Sequence, residues 1–244
     1  MSLNLRQYWQ ETTKSLLNLL FPPRCVTCHQ SGSWLCPACQ DRIEFIRPPV
    51  CPRCGRPTSM SRLCSSCQQA PLQIDAILAV GYLEGTLRTA IHRFKYSHIR
   101  PLAAPLGQLM SQYLLQNQPP VDVVVPVPLH PHRLRERGYN QAALLAKEME
   151  KALGLPLLED ALLRVRSTIP QVGLSARERR DNVRGAFHCA DTRLKGQRIL
   201  LIDDVCTTGA TLEACCFALR ERGAGVVWGL VLARERWHRT DKGG

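Results

Sequence analysis

Two adjacent carboxylates, Asp203 and Asp204, close the apolar run Arg198-Ile199-Leu200-Leu201-Ile202 and lead directly into Val205-Cys206-Thr207-Thr208-Gly209-Ala210-Thr211. These residue types suit a phosphorylated sugar. Paired acids accept hydrogen bonds from ribose hydroxyls or hold a magnesium ion. Thr207, Thr208 and Thr211 offer hydroxyls, and Gly209 allows close backbone approach. The apolar run is short and rich in branched side chains, so it reads as a strand covered on both faces. The acids then fall at its carboxyl end, where open α/β sheets bind ligands. Leu212 to about Arg222 reads as a helix whose N-terminus faces the turn. Hydroxyls, backbone N–H groups and the helix dipole together make an anion cradle. An ordinary strand-loop-helix corner accounts for one acid as a helix cap, not for two acids and a hydroxyl-rich turn. No Gly-Lys-Ser/Thr follows, which excludes a Walker loop.

Eight of the 12 cysteines form four CxxC pairs: Cys25/Cys28, Cys36/Cys39, Cys51/Cys54 and Cys64/Cys67. A CxxC turn brings two thiolates to one tetrahedral ion, and two such pairs complete a closed structural zinc site. Eight thiolates therefore make two sites. Gly55 suits the tight turn of a zinc knuckle. A disulfide framework needs an oxidising compartment, and no export signal is visible; a redox CxxC stands alone rather than in a fourfold array. The favoured pairing is sequential, with the first two pairs on one ion and the last two on the other; an interleaved arrangement is the alternative. Segment 21–70 holds few large apolar residues, which predicts little core and folding energy supplied by metal. Cys189, Cys206, Cys215 and Cys216 lack metal spacing. Cys206 is either a thiolate favoured by a helix start or, preferably, a small packing side chain.

The elements that must position these groups are legible along the chain. With 244 residues and 45% apolar content, the protein has room for one medium domain and a small module. Three segments are expected: an amphipathic helix over 1–20, a double zinc ribbon over 21–72 and an α/β domain over 73–240. In the first, Leu5, Trp9, Leu16 and Leu20 are interrupted by Glu11 and Lys14, which argues for packing on the protein itself rather than a secretory signal. No segment reaches the roughly 18–20 apolar residues of a membrane span. Ile74 to Leu83 reads as a strand, Thr86 to Tyr96 and Pro101 to Leu115 as helices, and Val121 to Val125 as a strand running into Pro126-Val127-Pro128-Leu129, where an X-Pro bond could be cis. A basic loop follows, with Arg133, Arg135 and Arg137, placed to clamp diphosphate or to serve as a solvated face. Beyond it come a helix from Ala142 to Leu153, a short strand from Leu162 to Arg166, and a polar segment in which Ser175 and Glu178 form a capping box. Phe187 marks another strand, and Val226 to Leu232 closes the sheet. The formal net charge of +12 fits anionic partners, phosphosugar, nucleotide or nucleic acid, while 6% aromatic content limits base stacking.

The turn Asp203–Thr211 resembles the 5-phosphoribosyl-1-pyrophosphate (PRPP) signature of type I phosphoribosyltransferases. The resemblance implies a parallel sheet flanked by helices, acids that contact the ribose, and a turn that holds the 5-phosphate. It also implies that Val127, Pro128 and Leu129 lie near pyrophosphate, and that 168–183 is a hood whose Arg177 and Arg180 close over the site. With the four CxxC pairs, PVPLHPHRLRERGYNQ and QVGLSARERRDNVRGAF, the chain is similar to the ComF/GntX family. Those proteins join a double zinc ribbon to a phosphoribosyltransferase-like domain and are associated with natural competence and use of external DNA. The likeness implies a cytoplasmic setting, two structural zinc ions, magnesium if the site is catalytic, and an unnamed acceptor. The alternative is a non-catalytic phosphosugar sensor or single-stranded DNA adaptor serving a DNA-uptake or recombination partner. The oligomeric state is left open.

Overall fold

The computed structural model describes residues 22–168 and 176–236. The expected helix over 1–20 and the Ser175 cap lie outside the described residues. The centre is a four-stranded parallel sheet of β1 (Ala76–Tyr82), β2 (Val123–Pro126), β5 (Arg198–Cys206) and β6 (Val226–Arg234), in the order β1-β6-β5-β2. The strand expected to close the sheet is therefore an inner one. β6 lies between β1 and β5, with Trp228 in register with Ala76 on one side and Leu200 on the other.

Successive side chains of β5 alternate between the two faces, as a pleated strand requires. Ile199 and Leu201 pack in one apolar cluster and Leu200 and Ile202 in the other. The second of these faces is covered by α3 (Gly85–Tyr96), α4 (Ala103–Asn117) and α6 (Gln141–Leu153), the first by α8 (Ala210–Arg220). On α3 the residues spaced for one face, Leu87, Ile91 and Phe94, are all buried. Against α8 pack α7 (Ala176–Val183) and a separate antiparallel pair, β3 (Leu162–Arg164) with β4 (Phe187–Cys189). β3 ends two residues earlier than the sequence suggests. The segment 131–137, read as a loop, is a short helix, α5 (Pro131–Arg137), opened by Pro131 and ended by Gly138 at φ +73°. The X-Pro bonds at 126 and 128 are trans; among the described residues the cis bond is Pro48–Pro49.

The ribbon segment carries the short helices α1 (Pro37–Gln40) and α2 (Ser65–Gln69). It buries more apolar side chains than the little core its composition suggested. Val26, Leu35, Ile43 and Ile46 are buried within the two main clusters. Its chain also runs along the free edge of β1: Ile46 N donates to Val80 O at 3.0 Å and Tyr82 N to Glu44 O at 3.0 Å. A few branched residues suffice because they insert between α3, α4 and β1 instead of forming a centre of their own. Among the described residues, no helix is long and apolar enough to cross a membrane.

Candidate functional site

A cleft of about 550 Å³ opens at the carboxyl rim of the sheet. Asp203, Asp204, Val205, Thr207 and Thr211 line one side, and Val127, Pro128, Leu129, Arg133 and Arg137 the other. Because neighbours in a strand point to opposite faces, the acid pair straddles the sheet. Asp204 turns toward α3, where Lys95 Nζ lies 2.8 Å from its Oδ1. Asp203 turns toward β3, near Arg164. Burial, reinforced by the Asp204 charge and opposed by Lys95, pushes the Asp203 carboxyl up to about 7. Asp203 Oδ1 also accepts from the Asp204 backbone N–H at 2.8 Å.

The hydroxyl turn divides its labour. Thr207 and Thr211 face the cleft, whereas Thr208 Oγ1 accepts from Ala210 N at 3.3 Å and shapes the start of α8. Gly209 adopts φ +87°, a conformation that L side chains rarely take. Cys206 faces away from the cleft, 3% exposed, and burial raises its thiol. The thiolate alternative is thus overturned by desolvation, and Cys206 is a packing residue that contributes backbone to the turn.

Opposite the turn, Val127 N donates to Ile202 O at 2.9 Å and Asn140 Nδ2 donates to Val127 O at 3.0 Å, which fixes the exit from β2. Since 131–137 is helical, residues four apart share a face. Arg133 and Arg137 therefore line the cleft together, while Arg135 points away, exposed to solvent. Its expected place beside Arg133 and Arg137 is corrected by that periodicity. Arg177 and Arg180 stand on α7, and their side chains lie outside what the structure describes.

The eight ribbon cysteines fall into two tetrads, Cys25/28/36/39 and Cys51/54/64/67, each with its sulfurs within 4.8 Å of one another. The pairing is sequential. Tetrahedral zinc with bonds of about 2.3 Å would set sulfurs roughly 3.8 Å apart; Cys28 and Cys36 Sγ lie 3.5 Å apart and Cys54 and Cys64 Sγ 3.7 Å. Both knuckles share one backbone: His29 N donates to Cys25 O, and Gly55 N to Cys51 O, each at 2.9 Å, with His29 at φ +64° and Gly55 at φ +69°. Burial opposes the Cys25 thiolate, but N–H groups of Cys28, Cys36 and Thr27 outweigh it and bring the thiol down to about 6. Cys51 is held at about 6 in the same way by Cys54, Cys64 and Arg53. Burial pushes Cys39 up to about 12, with its neighbouring cysteines adding to the rise. Four thiolates this close need a cation between them, and zinc fits both sets.

A double zinc ribbon domain matches residues 16–68, and a phosphoribosyl transferase domain matches residues 137–242. Over 225 residues the chain is 33% identical to competence protein F of Haemophilus influenzae, covering 86% of this chain and 97% of that protein. The chain belongs to the ComF/GntX family. Within the family it is also 31% identical over 219 residues to the DNA utilization protein YhgH of Escherichia coli K12, covering 86% of this chain and 96% of that one. Among solved structures, the glutamine PRPP amidotransferase of Bacillus subtilis, complexed with ADP and GMP, aligns over 55% of this chain and 26% of its own at 23% identity and a TM-score of 0.38.

The residues of this ComF/GntX cleft that escaped the sequence reading include Lys95, Tyr96, His98 and Arg164. The first three precede the segment matched as phosphoribosyl transferase. They are held in place through Tyr139, whose buried hydroxyl donates to Phe94 O, and through Arg100 Nη2, which donates to Gly138 O at 2.7 Å. Nothing local distinguishes Lys95 from Arg88 and His92 on the same polar face. Arg164 is more deeply held. Burial, then the nearby Arg133, pulls its guanidinium down, and it lies 5.4 Å from the Phe187 ring centroid. The helical placement of the α5 arginines has a direct test. Arg133→Ala is expected to weaken binding of inorganic pyrophosphate about tenfold or more, the value of a charged hydrogen bond, and Arg135→Ala to leave it within twofold, both read by calorimetry.

Proposed function

We propose that this protein binds PRPP in the cleft at the carboxyl rim of the sheet and transfers its phosphoribosyl group to a nitrogen acceptor, in the service of handling external DNA. One observation carries the reading: paired acids, a hydroxyl turn at a helix start and a basic pair line a single cleft. In that transfer the bond from the anomeric carbon to pyrophosphate breaks as the bond to the acceptor nitrogen forms, through an oxocarbenium-like state. Asp203 and Asp204 accept from the ribose hydroxyls and stabilise the positive charge of the ring. Thr207, Thr211 and the backbone of 208–210 hold the 5-phosphate, so that binding far from the reacting carbon becomes orientation. The exposed backbone of Val127 to Leu129 and the guanidinium groups of Arg133 and Arg137 receive the pyrophosphate. Arg177 and Arg180, on the helix beside α8, are assigned to closing the hood.

The carboxylate oxygens of Asp203 and Asp204 are hard donors suited to magnesium. When bound there, that ion would offset the charge of the leaving pyrophosphate. A cytoplasmic setting follows from the same reading, since reducing conditions keep eight zinc thiolates intact.

The Asp203 carboxyl sets a pH dependence. Its ionised form is the one that accepts from ribose, and its folded value is about 7. Binding of PRPP with magnesium is expected to strengthen as pH rises from 6 to 8 and to flatten above that; Asp203→Asn is expected to lose this slope. A calorimetric titration at three pH values measures it.

A second reading keeps the phosphosugar cradle as a sensor and gives the protein single-stranded DNA as partner. The charge of +12 and the names of the relatives, competence and DNA utilization, favour it. Turnover separates the two. Pyrophosphate release from PRPP with a panel of purine and pyrimidine bases supports transfer. Salt-sensitive DNA binding with PRPP bound but never consumed supports the adaptor. If PRPP with magnesium does not bind at all, both readings fail.

A further inference from the structure

The second cysteine tetrad sits against the back of the hydroxyl turn. The carbonyl of Arg53, inside the Cys51–Cys54 knuckle, accepts from Ile77 N of β1 at 2.9 Å, and Arg53 Nη1 donates to Ile74 O at 2.7 Å. Gly55 is packed so tightly on this strand that a Cβ there would lie 2.2 Å from Ile77 O. The same Ile77 reaches through to the other side, where a Cβ on Gly209 would lie 3.0 Å from its Cδ1. One residue thus has its backbone gripped by the metal knuckle and its side-chain tip against the turn.

A polar link runs in parallel. Arg234 is 3% exposed and in register with Cys206 at the end of β5, and its Nη1 donates to the carbonyl of the metal ligand Cys54. A third link joins the segment after Cys67 to the helix behind the turn. Gln73 N and Ile74 N donate to the two carboxylate oxygens of Glu213, in the first turn of α8, at 2.6 and 3.2 Å. Among the described residues, the first tetrad has no such links. Its Cys25, Cys36 and Cys39 pack in the cluster on the opposite face of the sheet, and its chain reaches β1 at Val80 and Tyr82, not at the turn.

We propose that the Cys51/Cys54/Cys64/Cys67 tetrad is a positioning device for the phosphate turn. Arg234 and Ile77 transmit it, so metal in this tetrad and a phosphosugar in the cleft strengthen each other while the first tetrad stands apart. The idea rests on the PRPP reading of the cleft. Coupling between two sites is reciprocal, so it can be read at the metal end without any turnover. A phosphate that holds the turn rigid holds Ile77 and Arg234, and these hold the knuckle closed. In the other direction, loss of metal at this tetrad relaxes the cradle, which makes the cleft responsive to zinc supply.

The test uses the full-length zinc-loaded protein, a chelator, a thiol alkylator and ribose 5-phosphate as the probe. Peptide mass spectrometry follows alkylation of each tetrad separately, and calorimetry follows binding of the probe. Saturating ribose 5-phosphate is expected to slow alkylation of Cys51, Cys54, Cys64 and Cys67 about fivefold or more, the lower end of ordinary site coupling, and to leave Cys25, Cys28, Cys36 and Cys39 unchanged. Ile77→Ala is expected to keep both zinc ions and lose this difference; Arg234→Met is expected to shrink it, and Arg234→Lys to restore part of it. Probe binding with equal protection of both tetrads, or with none, overturns the coupling and leaves the cleft assignment standing. Failure of the probe to bind overturns both.

Discussion

Asp203→Asn and Asp204→Asn are each expected to weaken PRPP binding in the presence of magnesium by about one to two orders of magnitude, the value of one charged hydrogen bond of roughly 1.5–3 kcal/mol. The double substitution should abolish measurable binding. Folding is expected to respond in opposite directions, which separates loss of ligand from loss of structure. Asp203 ionises at about 7 in the folded protein, against roughly 3.9 in an unfolded chain. Between those values the unfolded state gives up its proton first, so stability falls as pH rises, and the penalty is complete above pH 7. Asn carries no such penalty, so Asp203→Asn should raise the Tm at pH 8. Asp204→Asn removes the carboxylate that Lys95 holds at 2.8 Å and should lower Tm, because a largely buried ammonium loses its partner. Thermal melts of the ligand-free variants at pH 8 read both signs. Equal PRPP affinity in wild type and the double variant would sink the assignment of the acids.

Cys51→Ser is expected to have the largest effect on stability. Structural zinc supplies on the order of 10 kcal/mol of apparent folding energy at neutral pH, comparable to the whole stability of a typical domain. Cys51 is fully buried, its thiol is already drawn down to about 6, and Cys64 N donates to its sulfur at 3.4 Å. The variant should bind one zinc instead of two. Cys54, Cys64 and Cys67 should become open to alkylation while Cys25, Cys28, Cys36 and Cys39 stay protected. Metal analysis and peptide mapping of one sample measure this. Exposure of any cysteine from the first tetrad would contradict the sequential pairing.

The acid-bearing rim of the sheet was the most legible part of this chain because it is local. A strand, two acids and a hydroxyl turn lie within fourteen consecutive residues, and their order alone fixes which end of the sheet they occupy. The tetrads were legible for the same reason, since each CxxC is a complete half-site. What the sequence hid depends on distance along the chain. Lys95 reaches Asp204 across more than a hundred residues, and only the packing of α3 on the sheet selects it from its neighbours. Arg164 meets Phe187 and Asp203 through a small sheet that periodicity cannot orient. Arg135 was assigned wrongly because three arginines spaced by two look equivalent in an extended loop and cease to be so once Pro131 starts a helix. The ribbon was expected to bury little core from its own composition, yet Leu35, Ile43 and Ile46 bury themselves in apolar surface provided by residues far downstream.

The position of β6 bears on how this protein is made. Its neighbours β1 and β5 are both synthesised earlier, yet neither can pair on its inner edge until residues 226–234 leave the ribosome. From the completion of β5 until then, the nascent polypeptide therefore carries two open β edges that invite intermolecular pairing. A chain stopped before Val226 should aggregate rather than accumulate as a soluble fragment, and a chaperone that shields exposed strands should matter most in the interval before that last strand slides home.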